Sequence, residues 1–176
     1  MGAIISECGK YRYRLEREVQ VEGKVLAYFG INPSTADAAL DDATVRKWRG
    51  FTLRNGGRKF IVGNVFAFRA TNVNAVRSHY IGDLRKGESG SLESQLEAES
   101  CYWQDVLGDA DILVPCWGNR SKVPAQLRGR VDLLLRILLG SGKPVMHFGV
   151  TASGDPKHPL MLGYDTALIP WTEDLV

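Results

Sequence analysis

Lys24 to Asp42 reads KVLAYFGINPSTADAALDD, and this stretch decides the fold. Its apolar run, Val25 to Phe29, carries no charge and stops at Gly30. A run of that kind suits a strand buried on both faces of a sheet. Behind it comes a polar loop that opens on Asn32-Pro33 and holds Ser34, Thr35, Asp37, Asp41 and Asp42. A buried strand delivering a Gly/Asn/Pro loop at its C-terminal end is how open α/β sheets build binding crevices.

On the N-terminal side, Tyr11 to Val19 (YRYRLEREV) alternates aromatic or aliphatic residues with charged ones, the period of a half-exposed strand. Gly23 can turn that strand into the apolar one as an antiparallel hairpin. On the C-terminal side, Asp41 or Asp42 can cap a helix running to about Leu53, with Val45, Trp48 and Phe51 at helical spacing. Asn55-Gly56-Gly57 closes it. Lys59 to Phe68 (KFIVGNVFAF) is the next buried strand, interrupted by Gly63 and Asn64. A buried amide needs hydrogen-bond partners, so Asn64 is either structural or faces a ligand. Arg69-Ala70-Thr71-Asn72 then opens a loop containing Asn74, Arg77 and His79.

Further on, Leu92, Leu96, Trp103 and Leu107 mark one stripe of a helix, with Glu93, Glu97 and Glu99 outward. Asp111 to Cys116 (DILVPC) is a short buried strand ending at Trp117-Gly118-Asn119. Leu127, Val131, Leu134, Leu135 and Leu138 define an amphipathic helix closed by Gly140 and Gly142, and Pro144 to Phe148 (PVMHF) is a fourth strand. Strands alternating with helices predict an α/β fold. The expected architecture is a three-layer α/β/α sandwich with a four-stranded parallel core sheet and an added N-terminal antiparallel strand, in a single domain over residues 1–176. Four polar loops then share one sheet edge: the Asn32 loop, the Arg69 turn, Gly118-Asn119, and Thr151 to His158.

The bulk values narrow the function. With 176 residues the chain can bury a core without staples, and a net charge of +2 gives no overall basic field. Cys8, Cys101 and Cys116 are widely spaced with no CxxC pair, and His79, His147 and His158 lack metal-ligand spacing, so no metal or cofactor is expected. The N-terminal MGAIISECGK has no signal-peptide pattern, and no apolar run is long enough to span a bilayer, so a cytoplasmic protein with reduced thiols is expected. Oligomeric state is not legible.

Among candidate residues, Asn32 is either a turn initiator or an amide that orients a water or substrate group. Asp37, Asp41 and Asp42 read as caps and solvated loop residues rather than as a metal cluster. His158 lies between Pro156 and Pro159, which fix its backbone for presentation. His147, inside a strand, reads as a hydrogen-bonded core residue. Gly-x-Ser-x-Gly, Gly-x-Gly-x-x-Gly and Walker patterns are absent, which disfavours a serine hydrolase, a dinucleotide site and a P-loop. Arg46, Lys47, Arg49, Arg54, Arg58 and Lys59 form either a solvated basic face or a phosphate-contacting patch.

The pieces RYRL, INPSTAD followed by DDATVRK, GNVFAFRAT, CWGN and GVTASGDPKHPL resemble, over nearly the full length, the domain-of-unknown-function family numbered 1643 of bacteria and their phages. More remotely, Gly30-Ile31-Asn32-Pro33, Asn64, Trp117-Gly118 and His158-Pro159 are similar, in order, to the strand-end motifs of the uracil-DNA glycosylase superfamily. That resemblance implies an N-glycosidic hydrolase acting on a base in nucleic acid or a nucleotide. Asn32 would orient a water, Asn64 would read the base edge, and His158 would stabilise the departing base. It further implies substrate contacts from Gly30, Ile31, Pro33 and Ser34, from Phe66 and Arg69, and from Trp117, Gly118, Asn119 and Thr151. Phosphate contacts would come from Arg46, Arg69 and Lys157. The chain departs from the glycosylase pattern at Ser34, where Gly or Tyr is usual, and at Leu160-Met161, where Ser-Pro is usual. The stacking aromatic is open between Trp48 and Phe51. The alternative is a non-catalytic nucleotide or nucleic-acid binding module, for instance a phage accessory or inhibitor protein.

Overall fold

A computed structural model of the chain describes residues 2–85 and 89–172, and side chains in that range outside 82–95. Seven strands and four α-helices follow in the order β1 (Gly2–Ile5), β2 (Arg12–Glu18), β3 (Lys24–Gly30), α1 (Ala43–Arg54), β4 (Gly57–Asn64), α2 (Val73–Arg85), α3 (Ser89–Asp109), β5 (Ile112–Pro115), α4 (Arg128–Leu139), β6 (Met146–His147) and β7 (Ile169–Pro170). Strands β1 to β5 form one mixed sheet in the order β1-β2-β4-β3-β5. The apolar strand β3 lies between β4 and β5 and is parallel to both.

The alternation along β3 assigns its two faces. Val25, Ala27 and Phe29 enter one core with Trp103, Val106 and Leu107 of α3, Val131, Leu134 and Leu138 of α4, and Val76 and Tyr80 of α2. Leu26 and Tyr28 enter the other with Val45, Trp48 and Phe51 of α1 and with Phe148. Helices therefore cover both faces of the sheet, as parallel crossovers require. Helix α1 starts where the sequence predicts, with Asp42 Oδ1 accepting the Val45 N–H at 2.9 Å. It ends at Asn55 and Gly56, the latter at φ +66°.

The structure corrects several expectations. No β2–β3 hairpin forms: β2 pairs antiparallel with β4. Both edges of β3 are taken by parallel partners, so the chain from β2 crosses the start of β4, where Val19 and Gln20 donate to the Arg58 carbonyl. Gly2–Ile5, which carries no strand signal, pairs with β2 as an edge strand. The core sheet has three parallel strands rather than four. Val145 makes a single parallel bridge to Leu113, and Met146–His147 instead pairs antiparallel with Ile169–Pro170. The expected loop after Asn72 is helix α2, capped by Asn72 Oδ1 on the Asn74 N–H at 2.8 Å and anchored by buried Val76 and Tyr80.

Two further residues sit opposite to expectation. His147 is buried at 2% exposure, but neither ring nitrogen has a hydrogen-bond partner among the described residues; its ring packs against Trp171 instead. Glu99 points inward at 4% exposure. Its carboxylate accepts from Tyr80 Oη at 2.7 Å, from the Ala67 N–H at 3.2 Å and from Arg130 Nη2 at 3.4 Å. Leu96, Trp103 and Leu107 do pack on the core, whereas the side chains of Leu92 and Glu93 lie outside the described residues.

Arg130 also donates from Nε to the Val65 carbonyl at 2.7 Å and lies over the Trp103 ring at 4.4 Å. It thus clamps the backbone leaving β4. Removing one partner of a buried ion pair strands the other charge at a cost of about 3–5 kcal/mol. Arg130→Met should therefore lower the unfolding free energy by about that amount, with m unchanged, in urea titration. A loss below about 1 kcal/mol would show that Glu99 does not depend on this partner.

Candidate functional site

The C-terminal ends of β3 and β4 lie side by side, with Gly30 and Asn64 as register partners. A cavity of about 230 Å³ opens beyond them. Gly30, Ile31, Asn32 and Ser34 line it from the loop after β3, Asn64 from the end of β4, and Trp117 from the loop after β5. His158 and Leu160 close it from the chain after β6. Asn32, Asn64 and His158, distant in sequence, therefore border a single hollow at the carboxyl edge of the parallel strands. That is where open α/β sheets place ligands.

Each of the three is held in a way that limits its chemistry. Asn32 Nδ2 donates to the Ala70 carbonyl at 2.8 Å and to the Pro33 carbonyl at 3.0 Å. Its donor is thereby spent, and Oδ1 remains to accept a hydrogen bond. Asn64 is buried at 6% exposure, and its Nδ2 has no partner among the described residues. Its amide sits so close to β3 that a Cβ on Gly30 would lie 3.0 Å from Asn64 Oδ1. The glycine therefore makes room for the amide. The backbone carbonyl of Asn64 accepts from Trp103 Nε1 at 2.9 Å, which fixes the strand end from behind.

His158 caps a short 3-10 turn, Pro159–Met161, its Nδ1 accepting the Leu160 N–H at 3.3 Å. A neutral ring in that arrangement carries its proton on Nε2. Burial holds its pKa below the ordinary 6.5, and Lys122 adds to the effect while Asp42 opposes it. The loop is braced by buried Asp155, whose carboxylate accepts the Arg120 N–H at 3.0 Å and Ser153 Oγ at 2.9 Å. Gly118, at φ +76°, donates to the Pro156 carbonyl at 2.9 Å and lies so near His158 that a Cβ there would meet the histidine Cβ at 3.2 Å.

The other expected site residues divide. Trp48 lines the cavity, whereas Phe51 is fully buried in the core against Phe148. Phe66 is likewise fully buried, against Tyr80. Arg69 lines a second, neighbouring cavity of about 600 Å³. Asn119 caps its own turn through Oδ1 on the Ser121 N–H at 2.8 Å, and Thr151 Oγ1 accepts the Asp155 N–H at 3.2 Å. Gly118, Asn119 and Thr151 thus shape the loops behind the cavity. Pro33 supplies a carbonyl to Asn32, Lys157 lies against Gly149, and Arg46 donates to the Asp41 carbonyl at 2.7 Å.

Most of the basic cluster is engaged within the protein. Lys47 and Arg54 both lie 4.4 Å from the Tyr164 ring centre, and Lys59 pairs with Glu16 at 3.0 Å. Two of the three loop aspartates act as the expected caps, whereas Asp41 is an ion-pair partner of buried Arg17 rather than a cap or a solvated residue. Asp42 caps α1, Asp37 Oδ1 accepts the Ala39 and Leu40 N–H groups, and Asp41 pairs with Arg17 at 2.7 Å. Among the described residues, no group of three or more His, Cys, Asp or Glu side chains could hold a metal ion. Nor does any described helix have the length and apolarity to cross a membrane.

Sequence reasoning missed Arg12, Thr44 and Lys122, all of which line the cavity. Arg12 was hidden by the alternation of its strand, which assigns charged residues to solvent; in fact it is 2% exposed. Thr44 and Lys122 carry no local signal, because only the fold brings them to this edge.

The chain belongs to the family described as protein of unknown function (DUF1643), whose model matches residues 12–160. Neither a curated protein nor a solved structure matches it.

The environment of His158 gives a direct test. In an NMR titration its ring should show a midpoint below 6.5. Because the unfolded chain then binds the proton more readily, this group's contribution to stability is full above 6.5 and is lost as pH falls from there toward the folded midpoint. A midpoint above 6.5 would refute the buried, Lys122-facing placement.

Proposed function

We propose that this family member is an N-glycosidic hydrolase of uracil-DNA glycosylase-like build, acting on a base in nucleic acid or in a nucleotide. The observation that carries the reading is the convergence of Asn32, Asn64 and His158 on one cavity of about 230 Å³. That hollow is smaller than the roughly 300 Å³ at which pockets for drug-sized ligands begin, so it suits a heterocycle rather than a whole nucleotide. A base within a duplex would have to be extruded to reach it. A cytoplasmic location with unpaired cysteines belongs to the same reading.

The chemistry follows from the groups left uncommitted. Water adds to the anomeric carbon, the carbon–nitrogen bond breaks with its electron pair leaving on the base, and the proton released from the water ends on the departed base, giving the sugar hydroxyl and the free neutral base. Asn32 Oδ1 accepts a hydrogen bond from the water and aims its lone pair; an amide cannot ionise, so it orients rather than deprotonates. Asn64 Nδ2 donates to an acceptor on the base edge. The Nε2–H of neutral His158 donates to the base oxygen on which negative charge develops, a stabilisation worth most in a site that excludes water. Trp48 and Trp117 supply aromatic walls.

The test is mass spectrometry of free bases after incubating the chain with mixed nucleic acids and nucleotides. Release should fall by roughly 10²–10³-fold in Asn32→Ala and in His158→Ala, the loss typical of one transition-state hydrogen bond. Wild-type chain inert toward every uracil-containing, modified-base and nucleotide substrate would sink the hydrolase. Saturable binding without product would select a non-catalytic binding module instead.

A further inference from the structure

Four arginines point inward around the first loop and the sheet, and they differ in what neutralises them. Arg17 is fully buried and pairs with Asp41 at 2.7 Å. Arg130 pairs with Glu99 at 3.4 Å. Arg12 and Arg69 form no ion pair among the described residues. Arg12 gives Nη1 to the Ala36 carbonyl at 2.8 Å, and Arg69 gives its two terminal nitrogens to the Gly9 and Thr35 carbonyls at 3.2 and 3.3 Å. The Nε of each is buried without a partner. The buried Arg12 guanidinium, satisfied only by a carbonyl, keeps its full charge, which is costly unless something anionic arrives, and the partly exposed Arg69 adds a second cation with no carboxylate partner among the described residues.

The two cations are neighbours. Burial lowers the Arg12 pKa to about 10, and the nearby charges of Arg69 and Arg17 push the same way against Asp42 and Asp37. Those two carboxylates are the nearest compensation, and each already holds a backbone turn: Asp42 caps α1, and Asp37 accepts the Ala39 and Leu40 N–H groups. Arg12 lines the first cavity and Arg69 the second, and Ser34 lines both. Ser34 is thus common to the walls of a hollow of about 230 Å³ that Arg12 lines and one of about 600 Å³ that Arg69 lines. Thr44 and Asp42 line the first cavity from the start of the twelve-residue helix α1, where the Asp42 carboxylate already caps the N-terminus.

We propose that the wall at Ser34, with Arg12 on one side and Arg69 on the other, is a phosphate subsite, and that the ligand is a nucleoside 5′-monophosphate with its base in the first cavity and its sugar-phosphate reaching over Ser34 toward the second. The base half of this assignment rests on the function proposed above. The phosphate half rests on the unpaired guanidiniums, which match a tetrahedral oxyanion in charge and in donor geometry.

Calorimetry of the full chain against uridine, deoxyuridine, adenosine and guanosine, each beside its 5′-monophosphate, tests it. At least one monophosphate should bind roughly tenfold or more tightly than its nucleoside, with the gap narrowing as salt is added. In Arg69→Gln, whose side chain is only partly buried, that preference should shrink to within about threefold. Arg12→Gln should behave likewise provided circular dichroism shows native helix content. Lys59→Gln, at the far end of β4, should leave the preference unchanged. Equal binding of nucleosides and monophosphates overturns the subsite, as does a preference that survives Arg69→Gln. A 5′-hydroxyl oligonucleotide that binds as tightly as the monophosphate, through Arg69, overturns the monoester in favour of an internal phosphodiester. The two readings fail separately: phosphate preference without base release removes the hydrolase and keeps the subsite, whereas base release without phosphate preference does the reverse.

Discussion

The register between β3 and β4 is the constraint on which the site depends. The two strands end together, and the last pair sets Gly30 beside Asn64. One member has no side chain and the other carries an amide that needs the vacant space, since a Cβ on Gly30 would approach Asn64 Oδ1 to 3.0 Å. The register is itself fixed by burial. Phe29 belongs to the α3 face and Tyr28 to the α1 face, both fully buried. A slip of one residue would exchange every side chain between two differently shaped cores, so it is excluded far more strongly than any single hydrogen bond could exclude it. The cavity is thus a consequence of how the apolar strand packs.

Loops leaving a sheet edge have carbonyls with no ladder partner, and each buried one must be satisfied. This protein uses long cationic side chains for the task. Arg17 serves the Asp37 carbonyl in the loop after β3 and Arg130 the Val65 carbonyl after β4, each also reaching carbonyls within elements, while Lys143 serves Leu107, Gly108 and Ala110 at the end of α3. Arg17 and Arg130 are neutralised by Asp41 and Glu99 in addition, so they are structural clamps whose charge is answered internally. The same clamp at Arg12 and Arg69 lacks that answer. The difference separates a residue that only holds a loop from one that holds a loop and leaves charge beside a cavity.

Much of this was legible from the amino acids, and the part that was not has specific causes. Helix α1, strands β3 and β4 and helix α4 announce themselves through apolar spacing, caps and glycines. Strand order does not, because the alternation in Tyr11 to Val19 gives a face and not an edge; pairing with β4 rather than β3 is decided by which edges the parallel crossovers leave open. Helix α2 hides because its buried contacts among the described residues reduce to Val76 and Tyr80 within a polar stretch. Glu99 and Arg12 were assigned to solvent by periodicity, although a buried partner or an adjacent cavity can hold a charge inside. Asn32 and His158 were readable because each follows a predicted strand, and Asn64 because a buried amide interrupts one. Asn119 and Thr151 also follow predicted strands, but their polar atoms are consumed by their own turns.

The balance of uncommitted hydrogen-bonding groups narrows what can occupy the cavity. Asn64 Nδ2 and Trp117 Nε1 are buried donors without partners. His158 contributes Nε2–H, because its Nδ1 is occupied by the Leu160 N–H. Against these donors stands Asn32 Oδ1, whose amide nitrogen is fixed by Ala70 and Pro33. An occupant that leaves none of them unsatisfied must bring acceptors to the Asn64 and His158 sides and a donor to Asn32. A carbonyl-bearing heterocycle with an ordered water beside Asn32 meets that requirement. An aliphatic chain would leave the two buried donors, Asn64 Nδ2 and Trp117 Nε1, unmatched, at about 1–3 kcal/mol each. The cavity is therefore selective by what it withholds as much as by what it offers.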